Sequence, residues 1–389
     1  MAGAQINVFL DYSEFEARLN EAAADAGVAD FNPTEVGQIK SNILASLNTS
    51  FNGYLVNFTE TNPGGDFETL TFSQTSSGGL GLADRIDLFN NVKTDVARVF
   101  TGNFGVFIEA SELRSTQIME LSTSLAGTAA HEVGHNTGLE HRDPYGIAGL
   151  GASDSNGGYF TGGQQNTHLM ATGPTGLSET EREVQRSFSD LSHVKLEFGD
   201  GLSSSPLGTV AETPSSHATA ATAQHVAMQE LNLGLSSFDR AAIVESASLG
   251  SLVDYYSFDL QAGEYLTAQI VSTVVFGIDS IDGILTLFDT DGTTDLVTND
   301  DTRFSADAVN QGGSVYSEDS SIYNFLAPTT GTYFLRVSPF PGSGTGSYHL
   351  LFAATAIPEP AAAGILMCCL LGGWLARRRR LGTHVAGTN

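Results

Sequence analysis

The sequence predicts an α+β protein: a mixed, twisted sheet with long helices, then an all-β sandwich, then an apolar C-terminal helix. Three observations predict it. Strand-like and helix-like patterns alternate over the first 200 residues, short strands separated by turn residues follow from about residue 208, and an uncharged stretch ending in four arginines comes after residue 353. At 389 residues the chain exceeds one ordinary core, so two folded units with appendages are expected.

The elements follow in order. Residues Ile6 to Tyr12 alternate as a strand. In "TEVGQIKSNILASLNTSFNGY", Val36, Ile39, Ile43, Leu44 and Leu47 recur at helical spacing, with Thr34 behind Pro33 as the expected N-cap. "YLVNFTE" and "FETLTFSQ" read as strands, the segment around "ADRIDLFNN" as mixed, and "GNFGVFIEA" as a strand again. Its part Gly105 to Ala110 reads either as an open edge that pairs with an extended peptide or as an ordinary sheet strand. "LSETEREVQRSFSDLSHVKLEF" reads as a helix opened by a capping box between Ser178 and Glu181. These elements make a first unit, 1–200; the polar run 201–207 is the expected linker, and 208–353 the second unit. In the second unit "DYYSFDL", "EYLTAQIVS", "GILTLFDTDG", "SIYNFLAP", "GTYFLRVSP" and "GSYHLLFAA" are short strands of a sandwich.

Acidic residues outnumber basic ones 44 to 17, for a formal net charge of −27, which speaks against nucleic acid as a partner. The only cysteines, Cys368 and Cys369, are adjacent in the tail, so no disulfide staples the folded part. The opening "MAGAQINVFLDY" has neither the basic start nor the apolar run of a secretory signal peptide. The tail points outward instead. Pro358-Glu359-Pro360 leads into the uncharged stretch 361–376, about 16 residues or roughly 24 Å as a helix, and then Arg377 to Arg380. Those arginines are expected on the cytoplasmic side of a membrane-anchoring helix, with everything before them outside.

The chemistry concentrates in "HEVGHNTGLEH". On a helix, His131 and His135 lie one turn apart on one face and can reach one ion, with Glu132 beside it. Gly138 can end that helix in the left-handed conformation and let the chain bring back His141. Three neutral histidines with an open fourth position describe a catalytic zinc site. His168 and His193 lack ligand spacing and read as structural.

The pattern HExxHxxGxxH resembles the metzincin metallopeptidases, and the resemblance spans roughly residues 5–200, sharpest from Thr128 to Met170. It implies zinc held by His131, His135 and His141, and Glu132 as general base for a zinc-bound water attacking a protein or peptide substrate. It further implies a methionine turn at Met170, a residue that also reads as core filler. Arg142, directly after the third histidine, matches no common subfamily, and Thr172 stands where astacin-like and serralysin-like members carry an extra-ligand tyrosine. A matrixin-like arrangement is nearest by elimination.

The strands of the second unit resemble the bacterial pre-peptidase C-terminal (PPC) domain. Asp289, Asp291, Asn299, Asp300 and Asp301 offer oxygen ligands for Ca2+, although aspartates are also ordinary turn formers, and Ser215 and Ser216 replace an Asn-Asp pair common near the start of that domain. The tail 354–389 resembles the PEP-CTERM sorting tag, which implies an exosortase-type partner, export, and anchoring at the cell surface or release outside. The expected function is an exported zinc endopeptidase. The alternative is a catalytically inactive metzincin-fold protein that binds a surface or matrix, for which loss of Glu132 or of a histidine is expected.

Overall fold

Burial alternates along Ile6–Asp11, which forms β1, and the strand's apolar set Ile6, Val8 and Leu10 enters the core. The computed structural model describes residues 5–355, apart from 74–78, 145–166, 172–176, 214–215, 250–252, 273–281, 301, 309–312, 318 and 342–345. After β1 come helices α1 (Phe15–Asp25) and α2 (Pro33–Ser50), then β2 (Val56–Thr59), β3 (Glu68–Ser73), β4 (Gly81–Ala83) and β5 (Val96–Phe100). They build one sheet of order β2-β1-β3-β5-β4. All neighbouring pairs are parallel except β4 with β5, so a short antiparallel strand closes one edge. Parallel pairing requires crossovers, and α1 with α2 supplies the one from β1 to β2.

Three local expectations are corrected. Helix α2 is capped by Asn32, whose Oδ1 accepts from Thr34 N and Glu35 N, and not by Thr34. Proline lacks an N–H and fits the first helical position, so the cap falls one residue before Pro33. Gly105 to Ala110 is no strand: Thr101–Phe107 is a 3-10 helix, in which Phe104 and Phe107, three apart, are both buried. A Cβ at Gly105 would lie 2.9 Å from the Ala22 carbonyl oxygen, so the tight turn also answers a close approach to α1. The segment after Ser178 is two helices, α4 (Glu179–Arg182) and α5 (Asp190–Phe198). Between them Ser187 exchanges main-chain bonds with Thr167 and Leu169, and Ser189 restarts the helix as an N-cap on Ser192 N. The Ser178–Glu181 capping box is present, on α4.

Helix α3 (Arg114–Asn136) precedes α4 and is the longest among the described residues, buried almost continuously from Leu121 to Asn136. From Val210 onward the chain is β-rich. Its strands are β6 (Val210–Ala211), β7 (Gln224–His225), β8 (Gln229–Glu230), β9 (Arg240–Leu249), β10 (Asp254–Leu260), β11 (Tyr265–Ser272), β12 (Gly283–Phe288), β13 (Asp295–Asn299), β14 (Thr302–Ala308), β15 (Gly313–Ser317), β16 (Ser321–Leu326), β17 (Gly331–Pro339) and β18 (Gly346–Thr355). One large sheet runs β13-β12-β17-β10-β7 and a second β16-β11-β18-β9-β6, with β8 also on β9, while β14 and β15 form a separate antiparallel pair. Tyr256, Phe258, Leu285, Leu335 and Phe352 belong to the core between the two large sheets.

A third apolar cluster joins the two halves. Leu191, Val194 and Phe198 of α5, with Leu88 and Phe89, pack on Ala241, Ile243, Val271, Tyr323 and Leu351 of the sandwich. Leu202, in the run 201–207, is fully buried in the first core, and its carbonyl accepts from Leu55 N. The chain to Thr355 is accordingly one compact unit. Among the described residues no helix is long and apolar enough to cross a membrane; the stretch 361–376 and the arginines 377–380 lie outside the described residues.

Candidate metal centre

Small residues at Ala126, Gly127, Ala129 and Ala130 let the second half of α3 lie deep in the core, and the helix carries His131, Glu132 and His135 there. It stops at a Schellman arrangement: Gly138 N donates to His135 O at 2.9 Å and Leu139 N to Gly134 O at 2.9 Å, with Gly138 at φ +97°. A Cβ at Gly138 would also lie 2.8 Å from the Cα of Leu88. Glycine is therefore required twice at this position, once by the dihedral and once by the neighbour.

The turn brings His141 back to the helix. His131 Nε2 lies 3.0 Å from His141 Nε2 and 3.1 Å from His135 Nε2, and His135 Nε2 lies 3.2 Å from His141 Nε2. His131 Nδ1 donates to Leu169 O at 2.7 Å and His135 Nδ1 to Leu139 O at 2.8 Å. A carbonyl only accepts, so both rings carry the proton on Nδ1 and the lone pair on Nε2. Lone pairs converging at about 3 Å repel unless a cation lies among them. Three nitrogens around zinc, with bonds of about 2.1 Å near the tetrahedral angle, sit about 3.4 Å apart, close to the observed spacing. Burial, reinforced by His135 and His141, holds His131 well below the usual imidazole range and keeps it neutral, as a ligand must be. The trio therefore fits zinc, and the carbonyl bonds supply the orientation of its outer faces.

Glu132 is 7 % exposed and lies against the antiparallel edge strand. A Cβ at Gly81 of β4 would collide with its carboxylate and lie 2.7 Å from its Cγ, so Gly81 makes the space that Glu132 occupies. Met170 is fully buried below α3, where a Cβ at Gly134 would lie 2.9 Å from its Sδ. Its neighbours are held by Arg186, whose Nη1 donates to His168 O at 3.2 Å and Leu169 O at 3.3 Å. Burial, with Arg182 adding to it, brings the Arg186 guanidinium down to about 10, still charged at neutral pH. The same Leu169 carbonyl orients His131, which links the methionine segment to the histidine trio. Thr172 lies outside the described residues, as does most of the chain between His141 and Met170.

Arg142 is 3 % exposed and points into the sandwich. Its Nη2 donates to Ile270 O at 2.7 Å on β11 and to Glu140 Oε2 at 3.0 Å, and Asp319 Oδ2 lies 3.9 Å away. Lys195 of α5 ion-pairs with both Glu140 and Asp143. Burial alone would lower Arg142, but Glu140 and Asp319 reverse the sign and hold it above its usual range. The residue that matched no subfamily pattern thus ties the loop of the third histidine to the second half.

The remaining expected residues are accounted for individually. His193 Nδ1 lies 2.6 Å from the Tyr54 hydroxyl, and burial pushes the ring down to about 4, consistent with a structural role. His168 makes an isolated bridge to Ser187. In the sandwich, Asp291 Oδ1 accepts from Thr293 N and Thr294 N, both at 2.8 Å, and Asp289 Oδ1 accepts from Thr290 N at 2.7 Å. Asn299 Oδ1 accepts from Ser321 N at 2.9 Å, and the Asp300 carbonyl accepts from Ser320 Oγ at 2.6 Å. Asp301 lies outside the described residues. Gly81, Gly134 and Arg186 are site residues that sequence reasoning missed; Arg142 gave a signal only as a mismatch beside the third histidine, without its role.

Comparison with known proteins supports the second half directly. The bacterial pre-peptidase C-terminal domain family matches residues 252–339, and this region is such a domain. Among solved structures, that domain of Bacillus anthracis collagenase shares 16 % identity over 33 % of this chain and 93 % of its own, with a TM-score of 0.21. PliG, a periplasmic inhibitor of g-type lysozyme, aligns from Aeromonas hydrophila at 15 % identity, 34 % of this chain and 96 % of its own, TM-score 0.21. The Salmonella Typhimurium PliG aligns at 18 %, 34 % and 98 %, TM-score 0.21. No curated protein matches the sequence.

Proposed function

We propose that the protein is a zinc-dependent endopeptidase of metzincin type. The observation that carries this reading is the convergence of three Nε2 atoms within 3.2 Å, with the outer nitrogens of two rings held by main-chain carbonyls and a glutamate next in sequence to the first ligand. Zinc bound there supplies Lewis acidity, which lowers the pKa of water toward neutrality and polarises a peptide carbonyl. Glu132 takes the proton from the attacking water and passes it to the leaving amine. The packing of Gly81 against Glu132 holds the carboxylate against β4, and β4 offers an antiparallel edge on which an extended peptide can add as a strand. No serine or cysteine nucleophile is required, so no acyl-enzyme accumulates.

We further read the tail 354–389 as a PEP-CTERM tag, processed by an exosortase-type enzyme and anchoring the protein, transiently or stably, at the outer face of a membrane; Pro358 to Pro360 and Arg377 to Arg380 support this. The test of function is casein hydrolysis by the zinc-loaded full chain. Activity that a chelator abolishes and zinc restores is expected, and Glu132→Ala is expected to keep its zinc while turnover falls about 10²- to 10⁴-fold. Full turnover in that variant contradicts the mechanism, and an inert zinc-loaded wild type favours the binding-protein alternative.

A further inference from the structure

Helix α3 carries an unsatisfied polar face one turn before the first histidine. Ser124, Gly127, Thr128 and His131 follow one another at three- and four-residue steps and therefore share one face of the helix. The Ser124 and Thr128 residues are buried, and neither hydroxyl oxygen has a hydrogen-bond partner among the described residues. At Gly127 a Cβ would come within 3.1 Å of Arg186 Nη2 and 3.8 Å of its Nε, so glycine lets a guanidinium lie on the helix beside those hydroxyls. Arg186 Nη1 is held by the His168 and Leu169 carbonyls, which fixes the plane of the group. Nε, on the edge turned to Gly127, is buried without a partner among the described residues.

Carbonyls satisfy donors but cancel no net charge, and no carboxylate of the described residues forms an ion pair with Arg186. A second cation stands near it. Arg182, half-buried at the end of α4, likewise has no ion pair among the described residues, and its charge opposes that of Arg186. Burial holds Arg182 below its usual range while Glu132 works against the shift, which places this guanidinium toward the carboxylate read as the general base. Two hydroxyls and two guanidiniums can all donate, and what they lack is an acceptor with negative charge. A water would satisfy the hydroxyls and leave both charges uncompensated. A carboxylate supplies charge and acceptor together, and the arginine fork binds it with paired hydrogen bonds. The place also has a defined distance from the chemistry. Residues four apart on a helix, such as Gly127 and His131, lie about 5–6 Å from each other, a span that an extended peptide covers in about two residues.

We propose that Arg182 and Arg186, with Ser124 and Thr128, form a specificity subsite for a carboxylate of the substrate, carried within about two residues of the cleaved bond. This inference rests on the peptidase reading, and the carboxylate belongs either to an Asp or Glu side chain or to the C-terminus of the peptide. The zinc-loaded full chain is tested on fluorogenic peptides of one neutral sequence, C-terminally amidated, with Glu, Gln or Lys within two residues of the scissile bond, and on the Gln peptide with a free C-terminus. The amidated Glu peptide or the free-ended Gln peptide is expected to exceed amidated Gln about 10- to 100-fold in kcat/KM, and which of them does so identifies a side chain or a chain end as the source. Arg182→Glu is expected to invert the order, with Lys overtaking the carboxylate peptides, an outcome that loss of structure cannot produce. A wild type without the carboxylate preference, or an Arg182→Glu variant that keeps it, overturns the proposal. If no peptide is cut, the peptidase reading has failed, and calorimetric titration of the same peptides still decides the carboxylate site: a Kd about tenfold lower for a carboxylate peptide supports it, and equal or absent binding overturns it.

Discussion

The histidine helix and the Asp289–Asp301 region both offer donor atoms close together in the chain, and they differ in what the backbone does with them. At the histidines, main-chain carbonyls bind Nδ1, the atom facing away from the centre, and thereby aim Nε2 inward. In the sandwich turn, main-chain N–H groups bind the carboxylate oxygens themselves: Asp291 receives Thr293 N and Thr294 N on Oδ1 and the Thr294 hydroxyl on Oδ2. Those bonds, the Thr294 hydroxyl foremost, hold Asp291 down at about 2. A metal centre thus needs second partners for the ligand's far atom, and a turn absorbs the near ones.

The largest expected effect concerns the link between the halves. Arg142→Met takes one of two cationic partners from Glu140, which keeps Lys195, and leaves the buried Ile270 carbonyl without this donor, so a destabilisation of about 3 kcal/mol is expected in urea titration, together with faster zinc loss to a chelator because His141 is its neighbour. Unchanged stability would mean that the histidine loop needs no brace from the sandwich. Next comes Gly81→Ala. A new methyl against Glu132 is expected to shift the carboxylate by about 1 Å and lower kcat about 10²-fold while zinc content stays at the wild-type value; a parallel loss of zinc would show instead that the ligands moved.

A buried carboxylate of the first sheet, Glu68 on β3, sharpens the comparison through pH. Burial, aided by Asp95, pushes Glu68 up to about 8, and neither of its side-chain oxygens has a hydrogen-bond partner among the described residues. The unfolded value is about 4.3, so the folded chain retains a proton that the unfolded chain releases. This contribution is fully present below about pH 4 and is lost as pH rises toward 8. Glu68→Gln is therefore expected to raise Tm at pH 8 by at least about 2 °C and to flatten its fall between pH 5 and 8, as scanning calorimetry would register. An unaltered pH slope would mean that Glu68 is ionised in the fold. The smallest effect is expected at Asp291→Ala, within about 2 °C in Tm and equal with or without calcium chloride. A calcium-dependent shift there would show that the turn binds an ion after all.

The legible parts of the fold were those with contrast in the chain. Histidines four apart on α3, Gly138 and the alternating strands β1, β10 and β17 declare themselves, because period and turn chemistry are local properties. Strand β9 did not: Ala242 and Val244 face the sandwich core while Ala241 and Ile243 face α5 and its neighbours, so both faces are apolar and no alternation remains. The break between α4 and α5 was hidden because Ser187 is committed to Thr167 and Leu169, a partnership invisible along the sequence. Gly81 and Gly134 were silent for a similar reason. Their importance is the space they leave for Glu132 and Met170, each distant in sequence from its glycine.

The most direct measurement is an anomalous difference map, recorded at the zinc absorption edge from crystals of the zinc-loaded full chain. A peak about 2.1 Å from the Nε2 atoms of His131, His135 and His141, beside the Glu132 carboxylate, is the predicted result. Well-ordered imidazoles in zinc-loaded crystals with no anomalous density between them would contradict the account.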